Sequence, residues 1–282
     1  MKLARYGAAG AERPALVDGN GKLRDISIFA PDILPEVLSD ESLKALAELD
    51  IDRLPVVDDA NVRLGPPVSS IGKIICIGLN YTDHAAEVGL PLPKEPTIFM
   101  KGCRPSGSTD LVRLPRQSEK GDWEVELGII IGKGGLYISP EDALAHVAGY
   151  CVVNDLSERS YQMDRGGQWT KGKSFPGFAP VGPWLVTKDE VENVGELPIW
   201  LEVNGHRYQD GNTSNLVFGV REIVSYVSNF YALEPGDLIA TGTPAGVGLG
   251  QKPPVFLRPG DVVTLGIDGL GAQRQEIVAW EA

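Results

Sequence analysis

Cysteine is scarce in this chain. Cys76, Cys103 and Cys151 are its three, and they form no pairwise motif. A disulfide framework is excluded, and Cys76 and Cys151, inside apolar runs, read as small buried hydrophobes of a protein kept in a reducing cytoplasm. Positive charge is also short: 26 Lys and Arg stand against 38 Asp and Glu, a formal net charge of −12. That argues against nucleic acid or an anionic membrane surface as a main partner, but leaves room for an anionic small molecule in a pocket with its own cations. No apolar run approaches the ~18 residues of a spanning helix, and the opening Met1-Lys2-Leu3-Ala4-Arg5 does not lead into a signal-peptide stretch. The expectation is a cytoplasmic protein that neither leaves by that route nor spans a membrane. No Gly-x-Ser-x-Gly elbow occurs and no cysteine sits in a protease-like signature, so a covalent serine or cysteine nucleophile is not expected.

Glycine and proline, by contrast, are plentiful, 34 and 21 residues scattered along the chain. They suit many short strands joined by turns rather than a helical bundle. Ala15-Leu16-Val17 and Leu23-Arg24-Asp25-Ile26 flank Asp18-Gly19-Asn20-Gly21, a hairpin signal. A helical patch follows around residues 40–49, and Leu64-Gly65-Pro66-Pro67 reads as a linker, so residues 1–66 are expected to form a small N-terminal domain. From residue 70 to 282 the texture changes to apolar runs: 74–79, 127–131, 147–153, 184–186, 238–240 and 262–267. Helices are few. Ser139-Pro140-Glu141-Asp142 reads as a helix start, and Val220, Ile223, Val224, Val227 and Tyr231 follow helical spacing.

Within this frame, Asp122-Trp123-Glu124-Val125-Glu126 carries the sharpest chemical pattern. Glu124 and Glu126 are two apart in a strand-like segment, so both carboxylates share one face, with Trp123, Val125 and Leu127 on the other. A solvated strand face gives the same pattern, but here the carboxylate face continues into Gly128 and Ile130. Like charges aimed into an interior need a cation or a shared proton. Asp155, closing the apolar run 147–153, would complete an all-oxygen set suited to Mg²⁺ or Mn²⁺. A second pattern is Asn80-Tyr81-Thr82-Asp83-His84-Ala85-Ala86-Glu87-Val88-Gly89, which leaves a strand and enters a short helix with Asn80 as its cap and Gly89 as its end. His84 and Glu87 are neighbours on that helix, a spacing that by itself more often makes a weak surface contact than the proton-accepting dyad it also allows. His146 reads as surface decoration, and Asn204-Gly205-His206 as a hairpin turn. Gly167-Gln168-Trp169-Thr170-Lys171-Gly172-Lys173-Ser174 satisfies the phosphate-loop pattern, but no strand precedes it and Pro176 and Pro180 follow, so a nucleotide site is not expected.

Taken together these segments resemble the fumarylacetoacetate hydrolase family. The matching pieces are Gly78-Leu79-Asn80-Tyr81 with His84–Glu87, Asp122–Leu127, Val147–Tyr150, Asn154–Arg159 with Gln162, Gly172–Phe175, and Pro235-Gly236-Asp237 with Thr241–Pro244. Their order agrees over roughly residues 70–280. The resemblance implies an α+β fold, a mixed β-roll catalytic domain with few helices beside the small N-terminal domain, and a homodimer. It implies Mg²⁺ or Mn²⁺ on Glu124, Glu126 and Asp155, a water-activating dyad of His84 and Glu87, charge stabilisation by Lys173, and substrate contacts from Arg159, Gln162 and Thr243. Pro176-Gly177 departs from the Asp-Thr that many relatives carry after Lys-Ser-Phe, which puts the adjacent pocket wall in question. Segments 1–7, 203–209 and 248–254 are similar to those of bacterial enzymes that hydrolyse 2,4-diketo-3-deoxy acids from L-rhamnonate or L-fucose breakdown. The expected reaction is therefore hydrolysis of a carbon–carbon bond in a keto acid to pyruvate and a hydroxy acid such as lactate. Decarboxylation of an oxaloacetate-like acid and acylpyruvate hydrolysis are the alternatives on the same site. Ureidoglycolate cleavage, nucleotide binding and a noncatalytic Ca²⁺-stabilised module stand further off.

Overall fold

The computed structural model describes residues 1–58 and 61–280. Three strands open the chain, Lys2–Tyr6 (β1), Arg13–Val17 (β2) and Leu23–Asp25 (β3). After helix α1 (Asp40–Ala47) come Ile74–Gly78 (β4), helix α2 (Thr82–Glu87) and Thr97–Met100 (β5). Val112–Arg113 (β6), Gly121–Asp122 (β7), Val125–Ile131 (β8) and Val147–Asn154 (β9) follow. Ser157–Glu158 (β10) leads into two short helices, Arg159–Met163 (α3) and Thr170–Lys173 (α4). Then come Val181–Thr187 (β11), Pro198–Val203 (β12), His206–Asn212 (β13) and helix α5 (Val220–Val227). Leu238–Ala240 (β14), Val262–Ile267 (β15) and Gly271–Val278 (β16) end the fold.

Nine strands form the main sheet in the order β3-β2-β1-β11-β9-β8-β14-β4-β5, and five form a second sheet in the order β13-β12-β15-β16-β6. Both sheets are mixed: β14 runs parallel to β4, and β16 parallel to β6. The period of two is visible in the core. Leu127, Ile129 and Ile131 of β8 and Ile75 and Ile77 of β4 join one apolar cluster with Ile199, Leu201, Val263 and Leu265 of the second sheet. Ile130, Ile74 and Cys76 face the other way, into a cluster with Leu43 and Leu46 of α1. Strands β8 and β9 are buried along their whole length, which rules out the solvated-face reading of Glu124 and Glu126.

Each apolar run expected as a strand is one, and the expected β2–β3 and Asn204-Gly205 hairpins are present, the latter with φ of +53° and +79°. Two local expectations change. The helix expected after Ser139 is a single 3₁₀ turn, Ala143–His146, although the Ser139 hydroxyl does accept from the Asp142 amide. Helix α5 ends at Val227, so Tyr231 lies beyond it. At the expected boundary near residue 66 the sheet and core are continuous. Strand β1 pairs with β11, and Leu3 and Leu16 share a cluster with Cys76 and Ile130. The last two residues of the unit expected over 70–282 lie outside the described residues. Among the described residues no helix is long and apolar enough to cross a membrane.

Candidate active site

Strand register builds the acidic centre. Glu126 lies opposite Val153 across β8 and β9, and the Asp155 amide donates to the Glu124 carbonyl at 2.9 Å. Glu124, Glu126 and Asp155 therefore converge, each offering an oxygen within 4.8 Å of the others, all three buried. They are the one such potential metal-holding group among the described residues.

Three cations surround them. Lys173, carried in by α4, donates to Glu124 at 2.7 Å and Asp155 at 2.8 Å while only 2% exposed. Arg159 of α3 lies 2.8 Å from Glu124 and donates to Asp122 at 2.7 Å and Gln162 at 3.0 Å. Lys101 follows β5 and donates to the other Asp155 oxygen and to the Leu156 carbonyl. Burial alone would raise the Glu124 carboxyl, but Lys173 and Arg159 outweigh it and hold it well below the usual range. Glu126 goes the other way: burial, then the charges of Asp155 and Glu124, push it far up, against Lys173 and one amide from Gly242 at 2.9 Å. Lys173 is raised because Asp155 and Glu124 overcome its own burial.

Charge bookkeeping decides what fits. Asp122, Glu124, Glu126 and Asp155 bring four carboxylates against Lys101, Lys173 and Arg159, which leaves Glu126 uncompensated. A hard divalent cation would supply that charge, and an all-oxygen set suits Mg²⁺ or Mn²⁺. The residues present therefore fit the expected metal, with a small excess of positive charge left over for an anionic ligand.

The second cluster stands on α2. His84 Nδ1 meets Glu87 Oε2 at 2.9 Å, and Glu87 Oε1 accepts the Gly246 amide at 2.8 Å. A Cβ on Gly250 would lie 2.3 Å from Glu87, so that carboxylate is packed against backbone as well as hydrogen-bonded. Gly89 closes the helix as expected, at φ +68°. Its amide donates to Ala86 and that of Leu90 to Ala85, the paired pattern of a Schellman end. Asn80 does not cap α2. Its side chain instead donates to the Phe218 and Thr241 carbonyls and accepts from the Phe218 amide, because buried backbone groups there lack other partners.

Both clusters face one cavity of about 500 Å³, lined by His84, Glu87, Glu124, Glu126, Arg159, Gln162, Lys173 and Thr243 among others. The structure thus gathers eight of the nine expected site residues on the cavity wall, and Asp155 lies directly behind, bridged by Lys173. Thr243 lines the cavity, but its hydroxyl is committed to the Val125 carbonyl and to Gln209. Neither Pro176 nor Gly177 lines it; they form the turn between Phe175 and Phe178. The phosphate-loop pattern is a helix following another helix and a turn, without the strand such a site needs. His146 is held by the Lys133 carbonyl and His206 packs on Tyr208, both away from the cavity.

Sequence reasoning missed Lys101 and gave Asp122 no role. Asp122 accepts from the Gly248 and Leu249 amides and from Arg159, tying the cavity wall to the guanidinium. Its place at the head of the Glu-x-Glu motif was a signal. Lys101, a lysine closing an apolar strand, offered none without its partner in view.

Two mixed sheets with three buried carboxylates converging at the strand ends, beside a cavity, define a protein whose site fits a divalent metal. The sequence goes further: residues 73–278 match the family described as Fumarylacetoacetate (FAA) hydrolase C-terminal, and the chain belongs to that family. A protein of Burkholderia ambifaria with a generic hydrolase name is 53% identical over 277 residues, 98% of each chain. The chain is similar to the fumarylacetoacetate hydrolase of Exiguobacterium antarcticum at 34% identity and a TM-score of 0.86, over 99% of this chain and 100% of that one. It is also similar to the maleylpyruvate hydrolase of Sphingobium sp. SYK-6, solved with manganese(II) and pyruvate, at 31% identity, full coverage of both chains and a TM-score of 0.83.

Proposed function

We propose that this protein hydrolyses the C3–C4 bond of a 2,4-diketo acid, releasing pyruvate and a second carboxylic acid. A 2,4-diketo-3-deoxy sugar acid such as that derived from L-rhamnonate, which would give lactate, is the favoured substrate. The observation that carries the reading is the meeting of two clusters on one cavity: a three-carboxylate centre and a His84–Glu87 pair. When bound to Glu124, Glu126 and Asp155, Mg²⁺ or Mn²⁺ would orient the keto acid head and stabilise negative charge developing on it.

The chain's own groups supply the proton steps. Glu87 fixes the imidazole through Nδ1, leaving Nε2 to take a proton from water as its oxygen attacks C4. The C3–C4 bond then breaks and its electron pair passes to the pyruvate half as an enolate. Lys173, an ammonium at the cavity floor, stabilises that charge or returns the proton to C3. Arg159 and Gln162 hold the carboxylate end. We take the working unit to be a cytoplasmic homodimer.

The test is a panel of 2,4-diketo acids and oxaloacetate, each with Mg²⁺, Mn²⁺ or EDTA, read by pyruvate release and by the second product. A second carboxylic acid, lost with EDTA, is the expected result. CO₂ from oxaloacetate without cleavage of any diketo acid overturns the hydrolytic reading in favour of decarboxylation.

A further inference from the structure

The cavity floor is charged, but its outer wall is not. Beyond the carboxylates stand Leu79, Val88, Phe99, Trp169, Val247 and Leu249. Leu79 has φ of +56°, a left-handed conformation that glycine takes without penalty and leucine rarely adopts. Strain kept at a cavity wall points to a side chain retained for what it touches. Its neighbour shows the opposite economy: a Cβ on Gly78 would lie 2.4 Å from the Trp169 ring, so the indole rests directly on the backbone beside Leu79. Phe99 meets Trp169 edge-on at 5.5 Å, which fixes the indole's place in the wall.

Among the described residues, these six apolar side chains bring no charge of their own to the wall. Arg159 and Lys173 pair with carboxylates at the floor, where the reading above places the keto acid head, and Lys252 lines the cavity only at its exposed rim, where water screens its charge. We propose that Leu79, with Trp169 and Phe99, forms an acyl subsite selecting keto acids whose far end is alkyl or aryl over those ending in a carboxylate, and that Leu79 is its specificity-determining residue. The assignment rests on the reading above, in which the keto acid head sits on the carboxylate floor. The methyl end of a 6-deoxy sugar acid falls within this class.

Simple 2-oxo acids test the subsite without bond cleavage. Binding of pyruvate, 2-oxohexanoate and 2-oxoadipate to the Mn²⁺-loaded protein would be measured by calorimetry. Each buried methylene is worth about fourfold in affinity, so 2-oxohexanoate should bind at least about tenfold tighter than pyruvate and clearly tighter than 2-oxoadipate. Leu79→Gly relieves the backbone strain, so its Tm should hold or rise while the alkyl advantage shrinks and pyruvate binding stays. Trp169→Ala should shrink the same advantage. Equal binding of 2-oxoadipate, an alkyl preference that survives both variants, or no binding of any 2-oxo acid overturns the proposal. If the ranking holds yet no diketo acid is cleaved, the subsite stands and the hydrolase reading falls; cleavage without alkyl preference is the reverse.

Discussion

Glu124 and Glu126 stand two residues apart on one face, yet their carboxyls are shifted in opposite directions. Lys173 and Arg159 reach the first, while the second has one amide and two neighbouring carboxylates. A carboxyl raised in the fold contributes stability below its unfolded pKa of about 4.3, and that contribution is lost as pH rises through the folded value. The EDTA-treated protein should therefore lose thermal stability as pH rises through the raised Glu126 value, and Mn²⁺ should restore it. Calorimetric titration of Mn²⁺ in buffers of different ionisation enthalpy should show release of up to about one proton below that value. Glu126→Gln should abolish the release and weaken binding. At His84 the expectation is separate: His84→Ala should lower kcat by about 10²–10⁴-fold while Mn²⁺ binding persists, since the ring contacts Glu87 and not the carboxylate triad. Near-normal turnover of that variant would remove His84 from the proton path. The His–Glu spacing was legible because i, i+3 neighbours meet on any helix.

Helix α2 is fixed at its C-terminal end by two glycines, Gly89 that closes it and Gly250 that packs on Glu87, and the two predict different outcomes. A Cβ on Gly89 would meet nothing within 4 Å, so Gly89→Ala carries only the left-handed backbone penalty, about 1 kcal/mol. Its kcat should stay close to wild type. Gly250→Ala must displace Glu87, and a misplaced dyad should cost at least tenfold in kcat with little change in Tm. Stopped-assay kinetics and a melting curve on both variants separate the two effects. Asn80→Ala should destabilise by about 1–3 kcal/mol, because it strands buried backbone groups of Phe218 and Thr241. Local sequence suggested a cap at Asn80 because Asn before a helix does cap when its neighbours are free. Here the competing partners lie 138 and 161 residues away, where no local pattern reaches.

Across the whole molecule, the N-terminal strands are locked to the body by a charge network. Arg63 reaches Asp110 at 2.6 Å and Glu12 at 2.8 Å, and Arg5 reaches Asp32 at 2.6 Å and Glu12 at 3.3 Å. Burial would raise the Asp110 and Glu12 carboxyls, but Arg63 and backbone amides hold both below the usual range. Depressed carboxyls contribute stability above their unfolded values near 4, which is lost as pH falls through the folded ones. Tm should therefore drop below pH about 4, and Asp110→Asn should lose stability at neutral pH while flattening that acid limb. An acid limb unchanged in the variant would place the sensitive carboxylates elsewhere.

What the chain determined by itself is periodic and local. Continuous apolar runs such as 127–131 and 147–153 marked strands that the fold buries on both faces, and Glu-x-Glu placed two carboxylates on one side whatever the partners. Turn residues located the hairpins, and the ordered motifs pointed to the family. Tertiary structure alone decided which carboxylate is compensated by cations and which is not, that Lys101 reaches Asp155, and that Leu79 and Trp169 wall the cavity. It also decided that β1 joins the main sheet across the expected domain boundary. Strand and turn preferences act over a few residues along the chain. Charge compensation and cavity shape depend on distances through space between segments that the sequence keeps far apart.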